Sequence, residues 1–206
     1  MKFFNPFLFA TTIFVLVGCS NTPSTRIISQ LQSTVPGDTI CKNEIPPRNY
    51  VIVGETYRQR CPPQPDGGKN AWVIKKAGSQ ERVCWDSPTP DGYVWVGCAI
   101  SVNCPKRLDL QFNQKIIKIP RKQEYVCWDS PIPEGYVWIG CAVSVNCPKR
   151  PDSQFNQKII KIPGKQECVC WDSPIPPGYV VVGEITSVNC EHRPGNLPNQ
   201  KIIRKR

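Results

Sequence analysis

Short hydrophobic runs recur along the chain at a constant spacing of 43 residues. In one copy they are EYVCW around Cys127, YVWIGCAV from Tyr136 and QKIIKI from Gln157. Each run is rich in β-branched and aromatic residues and is bounded by Pro, Gly, Asn or Ser, which is typical of short strands. The pattern predicts three strands per copy, with Gly140 marking a bulge or a close backbone contact in the second. Helical periodicity is absent, and 22 prolines leave little room for it.

The repeat divides most of the chain into four copies. Residues 78–120 and 121–163 are identical at 34 of 43 positions, and residues 121–163 and 164–206 at 26. Residues 35–77 form a degenerate first copy whose cysteines, Tyr50 and Gly54 are in register. We therefore predict an all-β fold, a tandem array of four small disulfide-stapled three-stranded modules. The copies either stack or stand as semi-independent beads.

The twelve cysteines add a covalent framework to this picture. A module of ~40 residues rarely stands on its core alone, and a disulfide closing a 20-residue loop stabilises it by roughly 3 kcal/mol. Zinc is the competing interpretation, but a zinc site needs close cysteine pairs or histidines, and the chain has one histidine. We predict no metal and no cofactor. The predicted disulfides join the cysteines that lie 20 apart in every copy: Cys41–Cys61, Cys84–Cys104, Cys127–Cys147 and Cys170–Cys190.

Cys98 and Cys141 occupy one repeat position in the two inner copies, where the outer copies have Glu55 and Glu184. This distribution predicts a bridge from Cys98 to Cys141, replaced by a charge where the ends of the array meet water. Cys168 has no counterpart in the other copies. It is an alternative partner for either cysteine, or it is unpaired or bonded to another chain.

The first residues carry a different signal. Met1 and Lys2 precede an apolar run too short to span a bilayer, and the run ends at Leu16-Val17-Gly18-Cys19. This resembles the lipobox of bacterial lipoproteins. The resemblance implies a signal peptide over residues 1–18, cleavage before Cys19, a diacylglyceryl thioether on its sulfur and an acyl chain such as palmitate on the new amine. Ser20 in place of Asp implies the outer membrane. The alternative is an ordinary secretory peptide.

Residues 19–34 are polar and free of acids, and we interpret them as a lipidated tether. The formal charge of +10 is spread over the chain, and each copy also carries four acidic residues. A nucleic-acid site normally shows a dense basic face. We therefore predict no nucleic-acid partner, and membrane contact through the lipid alone.

A candidate binding face is formed by Tyr93, Trp95, Tyr136 and Trp138, because residues two apart on a strand share a face. The four residues are either buried between copies or exposed as a surface for a partner. Exposed aromatic rings beside the two Cys-Pro-Lys-Arg turns suit an anionic glycan or an acidic protein.

Catalytic residues are not predicted. The repeated aspartates lie in Asp-Ser-Pro turns, where Asp commonly caps the backbone, and no histidine accompanies them. The sequence predicts a lipid-anchored, non-enzymatic protein of the cell envelope whose array serves binding, adhesion or structure. One alternative is an inhibitor of a secreted hydrolase that uses the Asp-Ser-Pro-x-Pro loops. The other is a purely structural envelope protein, which would bury the Tyr-x-Trp residues.

Overall fold

The computed structural model describes residues 38–108 and 111–206, so Cys19, the predicted signal peptide and the tether lie outside the described residues. The described part is built from strands and one short 3₁₀ turn, Pro194–Asn196. None of its helical segments is long and apolar enough to cross a membrane. The strands are β1 Asp38–Cys41, β2 Tyr50–Thr56, β3 Ala71–Lys76, β4 Gln80–Cys84, β5 Val94–Ala99, β6 Gln114–Lys118, β7 Gln123–Cys127, β8 Val137–Ala142, β9 Gln157–Lys161, β10 Gln166–Cys170, β11 Tyr179–Ile185 and β12 Gln200–Lys205.

The strands form four antiparallel three-stranded sheets, β1-β3-β2, β4-β6-β5, β7-β9-β8 and β10-β12-β11. Each sheet lies inside one predicted repeat, and we call the repeats modules 1 to 4. The third strand of every module is the central one. The predicted all-β fold of four three-stranded modules is confirmed.

The central strand carries the most deeply buried side chain of each module. This residue is an isoleucine with no exposed surface or almost none: Ile74, Ile117, Ile160 and Ile203. The second strand of every module is irregular at its glycine; in β8 the register with β9 shifts between Trp138 and Gly140. The bulge predicted at Gly140 is confirmed.

All four predicted disulfides are present, with Cα–Cα separations between 5.3 and 5.6 Å. A buried asparagine positions the loop that carries the second cysteine. In module 2, Asn113 Oδ1 accepts a hydrogen bond from Ser101 N, and its Nδ2 donates to Cys104 O. Asn70, Asn156 and Asn199 bond in the same way in the other modules. Disulfide and asparagine together hold a loop that has no sheet of its own.

The turn before the second strand needs a left-handed residue in every module. Gly92, Gly135 and Gly178 have φ between 80° and 84°, and module 1 has Asn49 with φ 65° at the same position. Asparagine tolerates this conformation better than other residues with a side chain. Module 1 therefore keeps the turn although its sequence has diverged.

The modules stack through three joints, in each of which the second strand of one module packs on the first strand of the next. At joint 2, between modules 2 and 3, Trp95 N donates to Ser130 Oγ at 2.8 Å and Cys98 N donates to Asn146 O at 2.7 Å. The equivalent pairs at joint 1 are Ile52–Ser87 and Glu55–Asn103, and at joint 3 Trp138–Ser173 and Cys141–Asn189. Loops of one module thus cover the sheet edge of the module before it.

Each joint also contains an apolar contact and an ion pair. The valine of the following first strand, Val83, Val126 or Val169, is fully buried against the preceding second strand. Beside it, a lysine of the preceding central strand meets a glutamate of the following first strand at 2.6 Å: Lys75–Glu81, Lys118–Glu124 and Lys161–Glu167. The described modules form a stacked array, and not separate beads.

Candidate functional site

The proposed Tyr-x-Trp binding face is largely closed. Trp95 and Trp138 are each only 5% exposed, and they fill joints 2 and 3 against the disulfide of the following module. The alternative of burial between copies therefore holds for the two tryptophans, and their exposure to a partner was the wrong interpretation. Their size fits this place, because large aromatic rings cover the most apolar area in a small interface.

Tyr93 and Tyr136 are half-buried and fasten the chain segment that leads into their own module. Tyr136 Oη donates to Arg121 O at 2.9 Å, and Tyr93 Oη donates to Gly78 O at 2.6 Å. Burial, followed by the nearby Glu124 carboxylate, raises the pKa of Tyr136. Through these hydrogen bonds the two tyrosines stabilise the link between modules.

The predicted bridge between Cys98 and Cys141 is not formed, and both side chains are free thiols. The prediction assumed that equal repeat positions face each other across a joint. The modules instead stack head to tail, so equal positions lie one module apart. Cys98 packs with Cys127 and Cys147 of the next module, and Cys141 packs in the same way on the last disulfide. Cys168 is also a free thiol and is exposed.

The free thiols that touch disulfides are poorly suited to attack them. Burial raises the pKa of Cys98 and of Cys141 to about 11. Neighbouring groups such as Lys115 and Lys158 lower the pKa of these thiols, but by less than burial raises it. Thiol–disulfide exchange needs the thiolate. The joints thus bring thiols and disulfides together while keeping the thiols protonated.

The two glutamates that replace these cysteines have different environments. Glu55 lies in joint 1, where its carboxylate meets Lys42 at 2.8 Å and Lys69 at 3.8 Å. Glu184 lies on β11, which no described module covers, and it is exposed. The expectation of a charge at a water-facing end is therefore wrong for Glu55, because the second strand of module 1 faces the interior of the array.

A tryptophan covered by a cation recurs in every module, which the sequence reasoning did not find. The contacts are Lys42–Trp72, Arg107–Trp85, Arg150–Trp128 with Lys158–Trp128, and Arg193–Trp171 with Lys201–Trp171, at 3.8 to 5.1 Å. In module 1 the lysine and the tryptophan have exchanged repeat positions, so the contact survives although neither residue is retained in place. The sign of this contact in the sequence is the exchange of lysine and tryptophan at positions 42 and 72, which appears when the four copies are aligned.

These cations occupy the ring faces that a sugar would need. Lys115 is also tied down, because its Nζ donates to Ser87 O at 2.8 Å. Burial, ahead of the neighbouring charges, lowers the pKa of Lys115 and of Lys158. The tryptophans that follow the leading cysteines of modules 2 to 4 thus pack within their own module, with cation–π contacts of about 0.5–2 kcal/mol each.

The Asp-Ser-Pro loops, the candidate inhibitory loops, are part of the joints. Ser87, Ser130 and Ser173 are almost fully buried and accept the hydrogen bond from the preceding module. Their turns are therefore fixed by contacts within the array. This leaves them less free to enter the active site of a hydrolase.

An open apolar surface lies elsewhere, at the loop after each second strand. We call this row the loop ridge; its side chains are 67–93% exposed and comprise Tyr57, Ile100, Val102, Val143, Val145 and Val188. Between modules 2 and 3 the ridge borders a groove of about 930 Å³ lined by Phe112, Val143, Val145, Lys149 and Arg150, among others. The groove is thus formed by the inner modules and one Cys-Pro-Lys-Arg turn.

Within residues 38–108 and 111–206, no three His, Cys, Asp or Glu side chains are grouped so that they could hold a metal ion. No protein-family model, curated protein or solved structure matches the chain.

Proposed function

We propose that this protein is a lipid-anchored, non-enzymatic structural element of the cell envelope, held in the outer membrane through Cys19. In this proposal the stacked modules act as a stiff spacer beyond the tether. The lipobox resemblance supports the anchor, and the stacking of the modules supports the spacer.

The single observation that supports the spacer function is the burial of Trp95 and Trp138. Exposed rings were expected of a binding array, and buried rings of a structural one. Each ring is used to seal a joint that also has two hydrogen bonds and an ion pair. Joints of this kind favour an array that keeps its length and shape.

The anchor is tested by feeding cells a fatty-acid analogue that can be coupled to a dye. The wild-type protein should incorporate the label and partition with membranes, and Cys19→Ser should do neither. Equal labelling of both proteins, or of neither, would exclude the lipid anchor without affecting the account of the array.

The spacer is tested in the organism that makes the protein, using envelope permeability to a large antibiotic as the readout. Trp138→Ala weakens joint 3, and deletion of residues 121–163 shortens the array by one module. A spacer requires both changes to impair the envelope at normal protein level. If both strains match wild type while the protein stays in the membrane, the spacer proposal is wrong.

Partner binding at the groove between modules 2 and 3 is a second candidate. It is favoured by Val143 and Val145, which are 67% and 89% exposed beside the exposed Lys149; Arg150 also lines the groove but is already paired with Glu191. Exposed apolar patches rimmed by charge are typical of protein–protein sites. An acidic protein segment with apolar side chains would fit this surface better than a glycan, because the exposed side chains of Val143 and Val145 are aliphatic and offer no ring for stacking on a sugar.

The double variant Val143→Ser/Val145→Ser separates the two functions, since it changes the groove and leaves the joints intact. The matched control is Val102→Ser, on the same ridge outside the groove. Binding predicts an impaired envelope and loss of a crosslinked partner in the double variant only. The spacer function predicts that both variants behave as wild type.

A further inference from the structure

Among the described residues, module 4 presents a face that is built like a joint but has no module on it. β11 of module 4 occupies the place of β2, β5 and β8, which are covered by the following module. Val181 is 44% exposed, whereas its counterparts Ile52, Trp95 and Trp138 are at most 5% exposed. Val182 is 45% exposed. We call the surface of β11 the open end face.

The opposite end of the described array has the complementary surface. β1 of module 1 occupies the place of β4, β7 and β10, whose valines are fully buried by the preceding module. Ile40 takes the place of these valines and is only half-buried. The first disulfide is likewise more exposed than its counterparts, with Cys41 at 8% against 0–1% for the three equivalent cysteines. We call this surface the starting face.

Charges at the two faces continue the pattern of the internal joints. The lysine of each joint ion pair corresponds to Arg204 at the open end, and the glutamate corresponds to Asp38 at the start. Both end residues are exposed. Glu184, on the open end face, has the repeat position of Glu55, Cys98 and Cys141, whose backbone N–H groups donate to Asn103, Asn146 and Asn189 of the next module. At the starting face, Arg60 has the repeat position of these asparagines. The end faces thus place acid opposite base at both positions.

We propose that these faces dock on each other, so that module 4 of one copy binds module 1 of a second copy in the geometry of an internal joint. Val180 and Val182 then cover Ile40, and Arg204 pairs with Asp38. The contact uses different surfaces on the two copies, so it leaves a free face at each end and extends into linear chains.

Backbone groups match at this contact as well. Glu184 N takes the role of Cys141 N, which donates to the carbonyl oxygen of Asn189. The acceptor in a second copy is the carbonyl of Arg60, and it lies in an equivalent loop because Arg58 and Cys61 bond as their counterparts do. Val181 N meets Glu44 where the internal joints have a serine. Glu44 already bonds Cys41 N through Oε2, and its carboxylate has a second oxygen.

The contact is weaker than an internal joint. Val181 replaces a tryptophan, and association of separate copies costs translational and rotational freedom that linked modules do not lose. It is therefore reversible and depends on concentration. It does not depend on the lipid anchor or on the spacer function.

The test is sedimentation velocity of the full chain, oxidised and in mild detergent, over a concentration series. Wild type should form dimers and longer species as concentration rises. Val182→Lys places an ammonium group in the contact and should weaken association about tenfold or more. Val188→Lys adds the same charge at an exposed position of the same module, outside the contact, and should associate as wild type does.

A charge exchange tests the register of the contact. Asp38→Arg and Arg204→Asp should each associate more weakly than wild type when alone, because each places like charges together. Mixed in equal amounts, they should associate again, because every contact between unlike copies restores an opposite pair. Recovery on mixing is not expected of a variant that fails to fold.

Three results would overturn the proposal. The first is a wild-type chain that stays monomeric up to about 1 mM, the range of very weak association. The second is association that survives Val182→Lys unchanged. The third is a mixture of the two charge variants that associates no better than either alone.

Discussion

Strands β8 and β11 occupy the same place in their modules and have opposite environments. β8 is closed by module 4, so Trp138 is buried and the amides of Trp138 and Cys141 donate across joint 3. No described module covers β11, and Val181 at the equivalent position is 44% exposed. The difference shows that the joint, and not the strand itself, determines how much of each second strand is buried.

The comparison also explains why the inner and outer copies differ in sequence. Tryptophan occurs at this position only where a joint must be filled around a thiol, in modules 2 and 3. Module 1 fills its joint with Ile52 beside Glu55, and Val181 of module 4 fills no joint among the described residues. Divergence between the copies therefore follows the joints they take part in.

The largest expected effect is loss of the ring that seals joint 3. Trp138→Ala should destabilise the array by about 3–5 kcal/mol, since it leaves a cavity against the last disulfide. Val181→Ala, at the equivalent exposed position, should cost less than about 1 kcal/mol. Urea unfolding under oxidising conditions measures both. Equal losses would mean that the joint contributes nothing to stability.

Disulfides of equal loop length give a second comparison. Cys127→Ala/Cys147→Ala and Cys41→Ala/Cys61→Ala should each cost about 2–5 kcal/mol. The inner pair should cost more, because Trp95 and Cys98 of module 2 pack against it while the first pair has no module before it. Thermal unfolding of the two double variants provides the measurement. A smaller loss for the inner pair would contradict packing across the joint.

A smaller effect is expected for the hydroxyl that each joint provides. Ser130→Ala removes the acceptor of Trp95 N and leaves a buried N–H unsatisfied, at about 1–3 kcal/mol. Ser79→Ala, at an exposed position before β4, is the control and should be neutral within about 0.5 kcal/mol. If the two variants unfold at the same urea concentration, the hydrogen bond is not a stabilising part of the joint.

The smallest effect concerns the thiols, and it is a rate. At pH 8, iodoacetamide should modify the exposed Cys168 first, and Cys98 and Cys141 far more slowly. A pKa raised from 9.0 to about 11 lowers the thiolate fraction about 10²-fold. Because the pKa of each thiol is higher in the folded protein than in the unfolded chain, the protonated thiols contribute to stability fully below about pH 9. This contribution is lost as the pH rises through about 11. Peptide mapping follows each site, and equal rates would show that the joints leave the thiols open.

Much of the fold was predictable because the repeat carries it. A period of 43 residues with two invariant cysteines defines the modules, the three runs of each and the four disulfides. Strand β7 begins one residue before the predicted run, and β8 lies within it. Local patterns of this kind are sufficient because each sheet closes within its own module.

The joints were not predictable from the period. A repeat shows that Cys98 and Cys141 are equivalent, but equivalence alone does not say whether two positions face each other or lie one module apart. The exposure of Trp95 depended on the same unknown. The contact between Lys42 and Trp72 was missed for another reason, because a contact can be kept while the residues at both of its positions are exchanged.

Amide hydrogen exchange tests the central claim most directly, because the joints are defined by backbone donors at equal positions. The measurement is NMR of the oxidised chain at a concentration where it is monomeric. The amides of Ile52, Glu55, Trp95, Cys98, Trp138 and Cys141 should exchange slowly, and those of Val181 and Glu184 fast, since no described module covers β11. Fast exchange at all eight amides would contradict the stacked array and would leave four separate modules.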